Sequence, residues 1–307
     1  MVDGILLIDK SSGPTSHDVV DSVRRSLEQK RVGHAGTLDP RATGLLVILL
    51  GQATRLAQWL QRHDKSYEGT IRLGIATDTG DADGRVTAEE ACRTSDELLR
   101  EATKTLIGRI EQTPPAYSAI KVNGQTAHRL ARQGAPVELK SRYVTIETFE
   151  TELAEPGPPP LVSFTVKCSS GTYIRSLAVD LGRALGCHAH LESLRRLSVG
   201  GFKVEDSVTA EHFSRLDKSA RELLIMPMRV GLDMPEVTAA ADDIAAIRNG
   251  VAFKGPLRKA VGGLIGSEAV KIISGEDGNL VGLGKIVEIE SGESAALVKP
   301  FMVLVSN

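Results

Sequence analysis

"RVGHAGTLDPRATGLL" (31–46) sets one carboxylate, Asp39, on a loop punctuated by three glycines, Gly33, Gly36 and Gly44. His34 precedes it, Pro40 follows it, and an apolar run begins at Gly44. Asp-Pro ordinarily marks only a turn. This turn runs straight into a segment apolar enough to be buried. Asp39 is therefore either an ordinary loop residue or a carboxylate held in a fixed pose for chemistry, and its surroundings must decide.

Upstream, "GILLID" (4–9) is a short apolar run ending in the polar turn "KSSGPTS", which reads as a buried strand. "SHDVVDSVRRSL" (16–27) follows as a helix, with Ser16 as N-cap, Asp18 in the first turn, and Val19, Val20, Val23 and Leu27 on one face. Downstream, "GLLVILLG" (44–51) is a strand or a buried helical segment, which periodicity does not separate. "ATRLAQWLQR" (53–62) reads as helix and "SYEGTIRLG" (66–74) as strand. A helix over 94–108 starts at Ser95 or Asp96 and ends at Gly108. Residues 112–134 form a proline-containing loop, a hairpin at Asn123-Gly124 and a basic helix. "PGPPP" (156–160) joins strands at 144–153 and 161–168, and 172–186 is a strand-to-helix transition. Beyond about residue 230 glycine is frequent and short β-like runs appear at 269–274, 280–290 and 295–305, after one helix at 240–250. This is the texture of a small all-β module.

The chain has 307 residues, 41% hydrophobic and 25% charged, with a formal net charge of −2. That is an ordinary globular composition with a core large enough to be stable. Its charge is unevenly placed. Residues 120–143 carry Lys121, Arg129, Arg132, Lys140 and Arg142 against Glu138 alone. Residues 161–203 form a second basic island that includes Arg195 and Arg196. Such islands are either solvated faces or contacts for a phosphate backbone. Three cysteines, Cys92, Cys168 and Cys187, are too few and too scattered for a disulfide framework or a CxxC zinc site. Neither a signal peptide nor a bilayer-spanning run is visible, so a cytoplasmic protein is expected.

Familiar catalytic signatures are absent. There is no Walker A sequence, no GxGxxG after the first strand and no GxSxG elbow. "TDTGDADG" (77–84) has the composition of a calcium loop without its position-12 glutamate, and reads as an exposed acidic turn. "CHAH" (187–190) lacks further ligands, so no metal is expected. What remains is Asp39 with tyrosines and arginines. Tyr173 and Arg175, two apart in "GTYIRS", share a face if that segment is a strand. An arginine beside Asp39 favours the ionised carboxylate, which can act as nucleophile or electrostatic stabiliser. A tyrosine supplies a stacking face and a phenol for proton transfer. Together they suit a flat, flipped-out base. On residue chemistry alone, a buried structural tyrosine and an ordinary salt bridge serve equally well.

"GILLIDKSSGPTSHDVV", "RVGHAGTLDPRATGLL", "DKSYEGTIRLG", "QTPPAYSAIKVNGQ", "CSSGTYIRSLAVDLG" and "HLESLRRLSVGGF" resemble, in order, the successive motifs of the bacterial TruB family of tRNA pseudouridine-55 synthases. The resemblance covers about residues 4–204. It implies a mixed α/β fold, with a central, mostly antiparallel sheet and flanking helices over 1–231 and a β-barrel-like PUA module over 232–307. It implies that Asp39 is the essential aspartate, that Tyr67 stacks on the target base and takes part in proton transfer, and that Arg175 pairs with Asp39. His34, Tyr173 and Leu194 would contact the flipped nucleotide, with Lys10, Gly36 and Thr37 supporting the loop. The glycines would let RNA approach the backbone. Lys121, Arg129 and Arg132 of the insertion at about 120–143, with Arg195 and Arg196, would meet RNA phosphates. The family usually reads "DKPSG", and Ser11 here replaces the proline, removing a fixed φ.

The implied reaction needs no metal or cofactor: the uracil glycosidic bond breaks, the base reorients, and a C–C bond forms from C5. Two routes stay open, attack of Asp39 on C1′ or a glycal formed through loss of the 2′ proton. The implied partner is the T-arm of tRNA, bound by a monomer with no obligate protein partner and no membrane. Two other readings compete: the catalytic subunit of guide-RNA particles, and a non-catalytic T-loop-binding or tRNA-folding protein.

Overall fold

The structure, a computed structural model, describes residues 2–118, 120–122, 124–133, 139–155, 157, 159–258, 269–289 and 294–304. The first part of the chain contains β1 (Gly4–Lys10), α1 (Ser16–Ser26), β2 (Val32–His34), β3 (Thr43–Leu50), α2 (Ala57–Leu60), β4 (Lys65–Leu73), β5 (Ile75–Thr77), β6 (Val86–Glu89) and α3 (Asp96–Lys104). It continues with β7 (Gly108–Gln112), β8 (Lys121–Val122), β9 (Gln125–Thr126), α4 (Ala127–Arg132), β10 (Arg142–Glu155), β11 (Leu161–Cys168), α5 (Ile174–Ala184), β12 (Ala189–Val199), β13 (Phe202–Lys203), β14 (Val208–Thr209), α6 (Ala210–Arg215) and α7 (Lys218–Leu223). The last part holds β15 (Glu236–Ala239), α8 (Ile244–Arg248), β16 (Phe253–Arg258), β17 (Val270–Ser274), β18 (Leu280–Ile289) and β19 (Ala295–Val303).

One ten-stranded sheet runs β14-β1-β3-β12-β4-β11-β10-β7, with β2 beside β3 and β13 beside β12. Its pairings are antiparallel except β1 with β14 and β3 with β12. The expected mixed α/β fold is what the chain adopts. The ambiguous run 44–51 is a strand because both faces of the sheet are covered there. Leu45, Val47 and Leu49 enter one core with Ile5 and Leu7. Leu46, Ile48 and Leu50 enter another with Leu6, Ile8 and the valines of α1. Period-2 alternation thus hides inside an apolar run, as it does for strands buried on both sides.

β15, β16, β19, β18 and β17 close into a barrel. The barrel is joined to the sheet by apolar contact: Ile273, Leu280, Leu283 and Leu304 share a core with Leu60, Val199 and Leu232. Trp59 and Phe301 stack at 6.3 Å between ring centroids. Lys271, almost fully buried, ion-pairs with Glu236 at 2.7 Å and donates to the Leu232 carbonyl at 2.9 Å. A buried cation there fixes the connecting segment to the barrel wall.

Several local expectations change. Thr15, not Ser16, caps α1, and it forms a capping box with Asp18. The run 53–62 is a 3₁₀ turn over Gly51–Leu56 followed by a single α turn. α3 stops at Lys104, and Gly108 opens β7 at φ +97° instead of closing the helix. "GTYIRS" is not a strand through Arg175: Tyr173 is the N-cap of α5, and Arg175 lies in its first turn. Residues 134–138 of the basic insertion lie outside the described residues, as do 156 and 158 of the proline connector. Two of the scattered cysteines meet, with Cys92 and Cys187 sulfurs 2.6 Å apart as free thiols. No helix among the described residues is long and apolar enough to cross a membrane.

Candidate active site

Asp39 stands on the turn between β2 and β3, and that turn is braced from three directions. The Lys10 ammonium, 1% exposed, donates to the carbonyls of Ser11, Pro40 and Ala42 at 3.0, 2.8 and 2.7 Å. The Gly13 N–H also reaches the Pro40 carbonyl, at 2.9 Å. Freed from capping, Ser16 grips Leu38 twice: its hydroxyl donates to the Leu38 carbonyl at 3.0 Å and accepts from the Leu38 N–H at 2.9 Å. Arg196, equally buried, donates to the carbonyls of Gly36, Thr37 and Leu45. A turn with this many fixed carbonyls is held in one conformation before any ligand arrives.

The Asp39 carboxylate meets Arg175, whose Nε lies 3.2 Å from Oδ2. The same guanidinium reaches Asp81 Oδ2 from Nη1 at 3.4 Å and donates to the carbonyls of Tyr117 and Thr79. Nearly half of the Asp39 side chain stays open, yet the surrounding walls desolvate it. Burial is the largest influence and pushes its carboxyl above the ordinary range. Arg175 and Lys10 pull it down, while Asp81 and Asp83 push it further up. The arginine therefore offsets the shift without reversing it, contrary to the simple expectation of a stabilised anion.

Asp81 escaped the sequence reading. Its turn, 77–84, is not merely an exposed acidic turn. Paired N–H to carbonyl bonds at 3.0 Å, Ala82 to Leu191 and Leu191 to Gly80, fasten it to β12. Arg41 ties the other side of the Asp39 turn to Ala82 and Asp83. Nothing local separates Asp81 from Asp78 and Asp83, and only the position of Arg175 does so.

Tyr67 lies on the buried face of β4, 7% exposed, and burial pushes its phenol upward. Leu194 and Arg196 on β12 stand opposite Gly69 and Tyr67 in the antiparallel register. Leu194 packs against the same apolar cluster as Tyr67. The Tyr173 backbone is clamped by buried Gln112, which accepts from its N–H at 2.8 Å and donates to its carbonyl at 3.1 Å. Arg142 covers the Tyr173 ring at 4.8 Å. His34 Nδ1 accepts from the Gly36 N–H at 3.3 Å, which leaves the ring proton on Nε2. Burial and the nearby Arg196 hold its pKa below the usual value, so His34 presents a neutral ring.

One expectation is corrected and two others gain a structural context. Arg196 is not an RNA-backbone residue, because at 1% exposure it cannot reach a phosphate. Arg195 is half-buried and forms a two-pronged pair with Asp9 at 3.0 and 2.7 Å, with Glu68 at 3.9 Å. It borders a groove of about 780 Å³ whose walls also include Arg41, Leu194, Glu68, Glu150 and Glu152, so acidic side chains face it as well as basic ones. The glycines serve the fold as well: a Cβ on Gly44, at φ +96°, would sit 2.3 Å from the Arg196 carbonyl oxygen, so this glycine lets β12 dock. Lys121 and Arg132 are placed by backbone only, on β8 and α4, and Arg129 is exposed on α4.

Two family models match the chain: the TruB family pseudouridylate synthase N-terminal domain over residues 24–174, and the tRNA pseudouridylate synthase B C-terminal domain over 175–233. A tRNA pseudouridine synthase B of Aromatoleum aromaticum is 41% identical over 286 residues, covering 93% of this chain and 89% of that protein. One from Thermobifida fusca is 46% identical over 258 residues, covering 82% and 84%. Among solved structures, a Cbf5-Nop10-Gar1 complex aligns with a TM-score of 0.74 at 28% identity, over 98% of this chain and 85% of that one. An H/ACA RNP bound to a substrate RNA containing 2′-deoxyuridine aligns at 0.73 and 26%, over 99% and 85%.

Proposed function

The chain belongs to the TruB family of pseudouridylate synthases, and from that premise we propose that it converts uridine 55 in the T-loop of tRNA to pseudouridine. It is a tRNA pseudouridine synthase, an isomerase. The observation that carries the site assignment is the Arg175–Asp39 pair on a turn fixed by Lys10, Ser16 and Arg196.

The chemistry follows from that geometry. Asp39 is aimed outward from a rigid turn, so its carboxylate meets the ribose of a flipped nucleotide without reorganising. It acts at C1′ or through the 2′ proton, and the pocket serves either route. Tyr67 and Leu194 bound the base, and closure around it keeps water from the detached uracil. Tyr173 and the neutral His34 ring contribute surface and stacking more than charge. Residues 1–231 form the catalytic unit in this reading. The segment at about 120–143 is its RNA-binding insertion, and 232–307, which contains the closed barrel, is a PUA-like RNA-binding module.

The relatives named as tRNA pseudouridine synthase B are more similar to this chain than the guide-RNA particles are, and that favours activity without a guide. The test is incubation of the purified chain with an unmodified tRNA transcript and no other protein. Pseudouridine is then mapped by chemical derivatisation and primer extension. Modification at position 55 is expected. No modification, or modification only with added guide RNA, overturns the reading.

A further inference from the structure

Arg196 poses a question that its bracing of the turn does not answer. Its hydrogen bonds among the described residues go to three carbonyl oxygens, at 2.7, 3.4 and 3.2 Å on Leu45, Thr37 and Gly36, and its charge acts on the neighbouring Tyr67 phenol. None of these is a carboxylate. A buried guanidinium without an anionic partner is expensive, and carbonyls alone could be satisfied by a neutral donor. Tyr67 lies directly across the β12–β4 ladder from Arg196. The strand register therefore sets the Arg196 charge and the Tyr67 side chain on one face of the sheet, beside the Asp39 turn.

We propose that Arg196 is a positioning residue for the isomerisation, acting through the Tyr67 oxygen in the step that removes the proton from C5 of the uracil. This rests on the reading of the chain as a pseudouridine synthase. When the bond from C5 to the ribose forms, C5 carries both the new substituent and its hydrogen. Restoring the conjugated ring requires that proton to leave, and N1, released from the sugar, gains one, so the reaction balances without any outside reagent. A phenol is a poor acceptor and its phenolate a good one. Burial of Tyr67 opposes ionisation, while the Arg196 charge opposes that burial effect. The same side chain anchors Gly36 and Thr37, so the phenol and the Asp39 loop keep a fixed relation.

The test is a double-mutant cycle between Arg196→Gln and Tyr67→Phe, read as single-turnover rates on tRNA with uridine or 5-fluorouridine at the target position. Arg196→Lys stands in if the glutamine variant does not fold. Fluorine at C5 deletes the proton that Tyr67 would accept. On uridine, each single variant is expected to slow the reaction about 100-fold and the double variant no further. Cleavage of the 5-fluorouridine glycosidic bond should be slowed at least about tenfold less than the uridine reaction in each variant. Equal losses on both substrates, or additive losses on uridine, overturn the role while leaving the function intact. A wild-type chain that makes no pseudouridine overturns the functional reading and this inference together.

Discussion

Asp39 and Asp81 share one guanidinium: Arg175 stands 3.2 Å from the first and 3.4 Å from the second. Asp81 therefore both orients the arginine and raises the pKa of Asp39. If the ionised Asp39 acts, the rate climbs as pH rises through its pKa and is flat above it. Asp81→Asn removes a like charge and leaves Arg175 to Asp39 alone, so that pKa falls. The acid limb of the single-turnover pH profile is expected to move to lower pH. The plateau should drop between about 10- and 100-fold because the arginine loses a tether. An acid limb that stays in place or moves upward refutes the coupling.

Asp39→Asn should abolish pseudouridine formation while tRNA affinity stays within about tenfold, roughly 1.4 kcal/mol. Stability supplies an independent check. The folded-state pKa of Asp39 is raised above its ordinary value of 3.8. The folded state thus binds that proton more tightly, and ionising Asp39 lowers stability as pH rises from 3.8 through the raised value. The asparagine variant avoids this loss and should be at least as stable as the parent at pH 7 in urea unfolding. A clear loss of stability would show that Asp39 is a structural carboxylate.

Ser16→Ala tests the turn itself. The hydroxyl satisfies both the N–H and the carbonyl of buried Leu38, so its removal orphans two backbone groups. A loss of about 1–3 kcal/mol is expected from chemical denaturation. Activity should fall through the rate constant more than through KM, because the displaced atoms belong to the Asp39 turn and not to the RNA-binding surface. A variant with parental stability would mean that water replaces the hydroxyl.

How far this site was legible in sequence depends on where its partners lie. Asp39 stood out as a candidate through a local pattern of glycine, proline and apolar run, while 44–51 stayed strand or helix because its period-2 alternation shows only in which core each leucine enters. Arg175 and Tyr67 entered by resemblance, since no local rule joins residues 39, 67 and 175. Asp81 and Gln112 were missed because their meaning is tertiary: each is one of several like residues until Arg175 or Tyr173 stands beside it. Arg196 was misread for the reverse reason. It sits beside Arg195 in a basic island, so local charge suggested a surface, whereas the β3–β12 pairing beside Gly44 buries it. Ser16 looked like the cap because Thr15 and Ser16 both fit that position, and the Thr15–Asp18 capping box together with the Leu38 bonds of Ser16 tells them apart.

Salt dependence separates the two basic islands. Each phosphate contact contributes about 0.7–0.9 to the slope of log affinity against log salt. Replacing Lys121, Arg129 and Arg132 together with glutamine should flatten that slope by about 2–3 if this insertion lies on the RNA backbone. Arg195→Gln is the contrasting arm. Its guanidinium is already neutralised by Asp9 and lies among glutamates, so its loss should leave the slope within about 0.3 of the parent. The pair with Asp9 is only partly buried, and its removal should cost no more than about 1 kcal/mol of stability. Filter binding over a salt series reads both arms. An unchanged slope in the triple variant would make the insertion a solvated face, and a flattened slope in Arg195→Gln would return the second island to the RNA surface.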